Sequence, residues 1–298
     1  MRMPLSQKGR LVAEFESVWS DLQGVPFSQG YLNAGGVRTR YLHAGDRHKP
    51  ALVLLHGSGG HAEAYVRNLE SHAEHFSTWS MDMLGHGYTD KPGHPLEIRH
   101  YVEHLRAFLD AIGAQRAHLS GESLGGWVVS RFAVDHPDRL DRLVLNTAGG
   151  SQADPEVMKR IIALSMAAAE NPSWETVQAR IKWLMADKSK DYDDIVASRR
   201  RVYRQPGFVG AMRDIMALQD PEIRQRNLLG PADYGAISAP TLVLWTSDDP
   251  TADVGEGRRI AQMIPGARFE VMAGCGHWPQ YEDPKTFNRL HIDFLLGR

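Results

Sequence analysis

Apolar residues along the chain fall into two alternating rhythms. Short continuous β-prone runs end in glycine turns. Residues 51–55 (Ala-Leu-Val-Leu-Leu) stop at His56-Gly57-Ser58-Gly59-Gly60, and residues 117–120 (Ala-His-Leu-Ser) enter a second glycine turn. A strand without polar alternation is one covered on both faces, as in a parallel sheet. Between these runs Ile98, Val102, Leu105, Phe108, Leu109 and Ile112 recur at intervals of three and four, which predicts a helix ending near Gly113. Further strands are expected at 142–146, 241–246 and 268–272, with helices at 258–264 and 286–296. Such repeated βα winding predicts an α/β fold, a mostly parallel central sheet flanked by helices.

The rhythm breaks between about residues 151 and 233, where helix-like segments at 157–169 and 174–186 succeed one another without a convincing strand. Glycine- and proline-rich borders flank this block, Thr147-Ala148-Gly149-Gly150-Ser151 on one side and Gly230-Pro231 through Ser238-Ala239-Pro240 on the other. The expected organisation is a core of residues 1–150 and 234–298 with a helical lid at 151–233. Met158, Met166, Met185, Met212 and Met216 fall inside the insertion; methionine suits an adaptable apolar surface, with plain core filling the simpler reading.

Composition narrows the function. Of 298 residues, 34 are Lys or Arg against 36 Asp or Glu, so the net charge of −2 offers no basic field for a phosphate backbone, and no nucleic-acid partner is expected. The single cysteine, Cys275, rules out an intramolecular disulfide and fits a reducing, cytoplasmic location. Residues 1–19 interleave charges with apolar residues, unlike a signal peptide. The longest uncharged apolar-looking stretch, 161–169, is far short of the ~18 residues of a spanning helix, so no membrane partner is expected. His100 and His104 share a helix face, but without the Glu of HExxH or a third ligand they read as a solvated face, and no metal is implied. The turn Gly57-Ser58-Gly59-Gly60 is neither a dinucleotide fingerprint nor a Walker loop, so no cofactor is expected.

The sharpest chemical signal is Gly121-Glu122-Ser123-Leu124-Gly125-Gly126, a G-x-S-x-G between a predicted strand and an apolar segment, 127–133, that reads as helix. An abrupt strand-to-helix turn presents a serine hydroxyl at the sheet edge, and the flanking glycines permit close backbone passage. Ser123 is therefore the candidate nucleophile. A hydroxyl needs a base. Among fourteen histidines the best placed is His277, just after the last strand, with most others expected on the solvated surface. The acid that orients it should follow residues 241–246, where Asp248 or Asp249 could serve. Ser, Asp, His is the order of α/β-hydrolases. The backbone N–H groups of Ser58 and Leu124 are the expected oxyanion donors, because both turns should end at one edge of the sheet.

These residues resemble the α/β-hydrolase superfamily over roughly 30–298. Its general elements are His56-Gly57-Ser58-Gly59, Asp82-Met83-Leu84-Gly85-His86-Gly87, Gly121 to Gly126, and Trp245 through Asp249. Two further segments, Cys275-Gly276-His277-Trp278-Pro279-Gln280-Tyr281-Glu282 with Phe287-Asn288 beyond, and Tyr203-Arg204-Gln205-Pro206-Gly207-Phe208, look like the tail and lid of the meta-cleavage product hydrolases. Those serine enzymes cut carbon–carbon bonds in 2-hydroxy-6-oxohexa-2,4-dienoates. The resemblance implies an α/β-hydrolase fold with a helical lid, a small-molecule substrate, and Asp249 rather than Asp248 as the triad acid. It places Arg199 where the family's lid arginine holds the substrate carboxylate, with Gly57 and Trp278 as further substrate contacts. Arg199-Arg200-Arg201 also reads as a solvated helix face. Members are often homo-oligomers, though no motif here demands one. The alternative activity with the same triad is that of a carboxylesterase or lactonase. The chain departs from the subfamily at Glu122, where asparagine is usual, and at Glu63-Ala64-Tyr65, which stands where another asparagine follows the glycine loop. A carboxylate at 122 would repel an anionic dienoate unless protonated or turned away.

Overall fold

A computed structural model describes residues 17–152 and 154–298. Eight strands form one sheet: β1 (Phe27–Ala34), β2 (Val37–Ala44), β3 (Ala51–Leu55), β4 (Ser77–Met81), β5 (Ala117–Glu122), β6 (Leu140–Asn146), β7 (Thr241–Thr246) and β8 (Arg268–Met272). Their spatial order is β1-β2-β4-β3-β5-β6-β7-β8. The pairs β1/β2 and β2/β4 are antiparallel, and every later pair is parallel.

The continuous apolar runs are the doubly covered strands. In β3, Val53 and Leu55 join a core with the helices Ile98–Ala111 and Leu124–Asp135, while Leu52 and Leu54 point the other way onto Phe287 and Phe294 of the C-terminal helix Pro284–Leu295. Three strands escape the pattern. The hairpin β1/β2 is an edge whose first strand alternates half-buried and exposed residues, and its sequence signal is the Gly35-Gly36 turn, with φ of 61° and 96°. Strand β4 (Ser-Thr-Trp-Ser-Met) is wholly buried but polar, and the hydroxyls of its two serines are spent internally, while Thr78 Oγ1 has no partner among the described residues. Ser77 Oγ meets His43 Nε2 at 3.0 Å and Trp79 Nε1 at 3.0 Å, and Ser80 Oγ donates to the Ala62 carbonyl.

Histidine use also differs from expectation. His43, His56, His61, His72, His86, His104, His118 and His291 are buried. Burial lowers the pKa of His104 to about 4, which keeps the ring neutral and able to serve as both donor and acceptor. His104 lies 2.7 Å from Thr39 Oγ1 and accepts from the Leu84 N–H, so the His100/His104 pair is not a solvated face. Among the described residues no His, Cys, Asp and Glu cluster is arranged to hold a metal ion, and no helix is long and apolar enough to cross a membrane.

Between β6 and β7 the described residues form helices and no strand, among them Pro155–Glu170, Trp174–Leu184, Asp193–Tyr203 and Phe208–Met216. Asp154 and Ser173 cap the first two through their side chains. This block is tied down over the carboxyl edge of the sheet. Tyr203 Oη donates to the Gly59 carbonyl at 2.8 Å, and the His277 N–H donates to the Leu184 carbonyl at 2.7 Å.

Candidate active site

Strand β5 turns into the helix Leu124–Asp135 at Ser123, whose φ of 54° and ψ of −114° lie outside the helical and strand regions. Only small neighbours permit that turn. A Cβ on Gly121 would fall 2.2 Å from the Gly125 carbonyl carbon, and one on Gly125 would fall 2.4 Å from the Leu55 carbonyl oxygen. Such strain persists where the surroundings over-determine it, and it leaves Ser123 at the mouth of the sheet.

The loops after β7 and β8 end at the same edge and bring two predicted residues together. Asp249 Oδ2 accepts from His277 Nδ1 at 2.8 Å. Its Oδ1 accepts from both the Thr251 N–H, at 2.8 Å, and the Thr251 hydroxyl, at 2.7 Å, so the carboxylate is fixed on both sides. Asp248 instead lies exposed and accepts from the Ser247 hydroxyl. With Nδ1 committed, Nε2 is the nitrogen left to face the cleft. It meets not Ser123 but Glu122, whose Oε1 is 3.2 Å away. Among the described residues no hydrogen bond links Ser123 Oγ to His277. Burial by itself would lower His277, but Asp249 and then Glu122 outweigh it and leave the imidazole above the ordinary histidine pKa.

The glycine turn after β3 faces the elbow. Gly57, Ser58, Ser123, Leu124, His277 and Trp278 line one cleft. Among the described residues neither the Ser58 nor the Leu124 N–H is taken by another backbone carbonyl. Both are therefore open to a ligand oxygen. His56 braces this turn: Nδ1 bonds the Gly57 carbonyl at 2.8 Å while Nε2 accepts from the Met83 N–H at 3.1 Å. The Asp82 motif acts one layer out, its carboxylate accepting from the Ala62 and Tyr88 N–H groups and pairing with Arg40 at 3.3 Å.

Two guanidiniums from the helical block complete the site. Arg199 is 1% exposed, with its Cζ 4.8 Å from the centroid of the Trp278 ring. Arg180 lines the cleft, is 4% exposed, and donates through Nε to Ser165 Oγ at 3.1 Å. Among the described residues Arg199 Nε and Nη2 and Arg180 Nη1 have no hydrogen-bond acceptor. Burial pushes Arg180 down to about 10, against ordinary guanidinium behaviour, yet the group stays charged at neutral pH. Buried charge without a partner is costly, and donors left open in this way can take an anion.

The family model of the alpha/beta hydrolase fold matches residues 50–284. The chain belongs to this α/β-hydrolase family. It is 31% identical over 264 residues to a 2-hydroxy-6-oxo-6-phenylhexa-2,4-dienoate hydrolase of Comamonas testosteroni, covering 83% of this chain and 88% of that protein. It is also 31% identical over 283 residues to a 2-hydroxy-6-oxononadienedioate/2-hydroxy-6-oxononatrienedioate hydrolase of Paraburkholderia phymatum, covering 89% and 94%. A solved meta-cleavage product hydrolase from Pseudomonas fluorescens IP01 superimposes with a TM-score of 0.78 at 26% identity, over 92% of this chain and 98% of that one.

Arg180 was missed by the motifs and Arg199 was named only through the resemblance, yet both are marked in helical spacing. In Trp174–Leu184 the buried positions are Val177, Arg180, Ile181 and Leu184, so Arg180 is a charge on the apolar stripe. In Asp193–Tyr203 they are Ile195, Val196, Arg199, Val202 and Tyr203, which separates Arg199 from the exposed Arg201. A cation at a core position of an amphipathic helix is the signal.

Proposed function

We propose that this hydrolase cleaves the C5–C6 bond of 2-hydroxy-6-oxohexa-2,4-dienoates, the substrate class named for its relatives. The observation that carries the reading is the pair of buried guanidiniums, Arg199 and Arg180, with open donors beside the Asp249–His277–Ser123 group. They suit the C1 carboxylate of such a dienoate, with Arg199 fixed on Trp278. A neutral ester or lactone, the alternative, gives them nothing to bind.

In the proposed mechanism the dienol ketonises, and Ser123, or a water it positions, adds to the C6 carbonyl as His277 takes the proton. Asp249 holds the imidazole in the tautomer that presents Nε2. The Ser58 and Leu124 N–H groups receive the developing oxyanion, and loss of one such donor typically costs about 2.7–4 kcal/mol of barrier. The C5–C6 bond then breaks, its electron pair passing into the dienolate, which takes the proton from His277 and leaves as the 2-hydroxydienoate; where Ser123 has added, a water then hydrolyses the acyl-enzyme, and on either route the second product is the carboxylic acid. The helical block at 151–233 serves as lid, its arginines closing the site from above.

The test is loss of the visible dienolate absorbance of 2-hydroxy-6-oxo-6-phenylhexa-2,4-dienoate, with wild type and Ser123→Ala side by side. Wild type is expected to bleach it to benzoate and 2-hydroxypentadienoate, and the variant to be slower by about 10³-fold or more. A wild-type enzyme that leaves the chromophore intact overturns the reading.

A further inference from the structure

Glu122 is the last residue of β5, immediately before Ser123, and is 1% exposed. Its carboxylate lies in the cleft against Gly57, where an added Cβ would fall 2.7 Å from Oε2. Among the described residues neither carboxylate oxygen completes a hydrogen bond, yet Oε1 sits 3.2 Å from His277 Nε2 while Asp249 holds Nδ1. One imidazole is thus placed between two buried carboxylates. A bare carboxylate is penalised by such burial, and a proton held between Glu122 and Nε2 removes the penalty.

We propose that Glu122 is a catalytic residue of this hydrolase: it shares a proton with His277 Nε2 at rest and delivers it to C5 of the bound dienolate. The inference rests on the dienoate reading above. In the step the carboxyl O–H bond of Glu122 breaks and a C5–H bond forms from the C4=C5 electron pair. The C2=C3 pair moves to C3=C4, and the negative O2 closes a C2=O bond. The product is the 2,6-diketone that Ser123 attacks. Glu122 is left as a carboxylate facing Nε2, where it favours the imidazolium that forms as Ser123 gives up its proton. The same arrangement removes a conflict, since a protonated Glu122 does not repel the substrate anion drawn in by Arg199 and Arg180.

The electrostatics agree with the geometry. Burial raises the Glu122 pKa, opposed by His277, the Gly57 backbone and the charges of Arg199 and Arg180, with the Tyr65 phenol also facing it. His277 in turn faces Asp249, Glu122, Arg180 and the Thr251 hydroxyl.

The deciding variant is Glu122→Gln, close in shape but without a proton to give. Two rates are followed over about pH 5 to 9: single-turnover loss of the phenyl dienolate, and phosphonylation of Ser123 by a fluorophosphonate, which needs no ketonisation. The variant is expected to slow dienolate loss by about 100-fold or more. Ser123 should remain reactive to the fluorophosphonate, with its acid limb displaced to lower pH because His277 has lost a neighbouring carboxylate. Equal falls in both rates without that displacement would make Glu122 a brace and overturn the proposal. Dienolate loss by the variant within about threefold of wild type would also overturn it. Wild type that is phosphonylated but never bleaches the dienolate overturns the proposed function and this step together, whereas bleaching by both forms at rates within about threefold of each other overturns this step alone.

Discussion

Arg199 lies over the face of Trp278, its guanidinium carbon 4.8 Å from the ring centroid, with Nε and Nη2 left without acceptors among the described residues. The tryptophan follows His277 directly, so the loop that positions the imidazole also positions the cation. This stacking fixes a planar fork that lysine would not reproduce.

Replacing Arg199 with Gln should therefore weaken dienoate binding while leaving a neutral ester of similar size nearly unaffected. A charge-assisted hydrogen bond contributes about 1.5–3 kcal/mol, so kcat/KM for the dienoate should fall by roughly 10–150-fold. Arg180→Met should act in the same direction. Because both guanidiniums face one region, the double variant should lose less than the product of the single effects. Equal losses on charged and neutral substrates would show that the arginines hold the lid rather than the anion.

How far this was legible in the sequence depends on what each residue is packed against. Strands β5 and β7 are buried along their whole length and β3 from its second residue on, and their apolar or small-residue runs announce it. Strand β4 is just as buried but reads as polar, because a hydroxyl satisfied by a neighbour costs little and leaves no pattern. Asp249 and His277 could be placed at strand ends from motif order, whereas spacing left Asp248 open; the resemblance pointed to Asp249, and its carboxylate is the one that reaches the ring. The Glu122 contact with Nε2 had a sequence signal, a carboxylate where the resembled family has an amide, but its consequence depends on a 3.2 Å distance no spacing rule contains. Buried histidines such as His104 gave no signal at all, since a neutral imidazole in the core and a charged one in water are the same letter.

The raised pKa of His277 sets the direction of the pH dependence. The base is competent only when neutral, so kcat/KM should decline as pH falls through a value above the ordinary histidine pKa of about 6.5. Asp249→Asn removes the main group holding the proton on the ring. Its acid limb should move to lower pH even as the maximal rate falls. Stability follows the same sign, because a histidine whose folded pKa is raised stabilises the fold below its unfolded pKa and loses that contribution as pH rises through the folded one. The melting temperature of Asp249→Asn should thus lag wild type more at about pH 5.5 than at about pH 8.5. A larger deficit at the alkaline pH would contradict the assignment.

Cys275 is two residues from His277 but should take no part in the chemistry. It is buried, and burial with the nearby carboxylates of Glu282, Asp283 and Asp248 pushes the thiol up to about 12. Only the thiolate reacts. Native protein should resist iodoacetamide at about pH 8, as read by mass spectrometry, and the urea-unfolded chain should be alkylated once; rapid labelling of the native form would refute this.

Gly125 couples fold to chemistry, because it is where the helix after Ser123 passes the end of β3. A Cβ there would meet the Leu55 carbonyl oxygen at 2.4 Å and the His56 carbonyl oxygen at 2.9 Å, both backbone atoms that cannot swing aside. Gly125→Ala must push the helix away from the turn carrying Ser58, which separates the two N–H groups assigned to the oxyanion. Overpacking of this kind costs about 1–3 kcal/mol of stability. If one donor is lost as well, kcat should drop by about 10²–10³. Gly210, in the helix Phe208–Met216, is exposed with no heavy atom within 4 Å of an added Cβ, so Gly210→Ala should instead gain about 0.5–1 kcal/mol from helix propensity alone. Urea unfolding of the pair separates the two effects. If Gly125→Ala proves as stable and as active as wild type, the close passage at the elbow is not what aligns the donors.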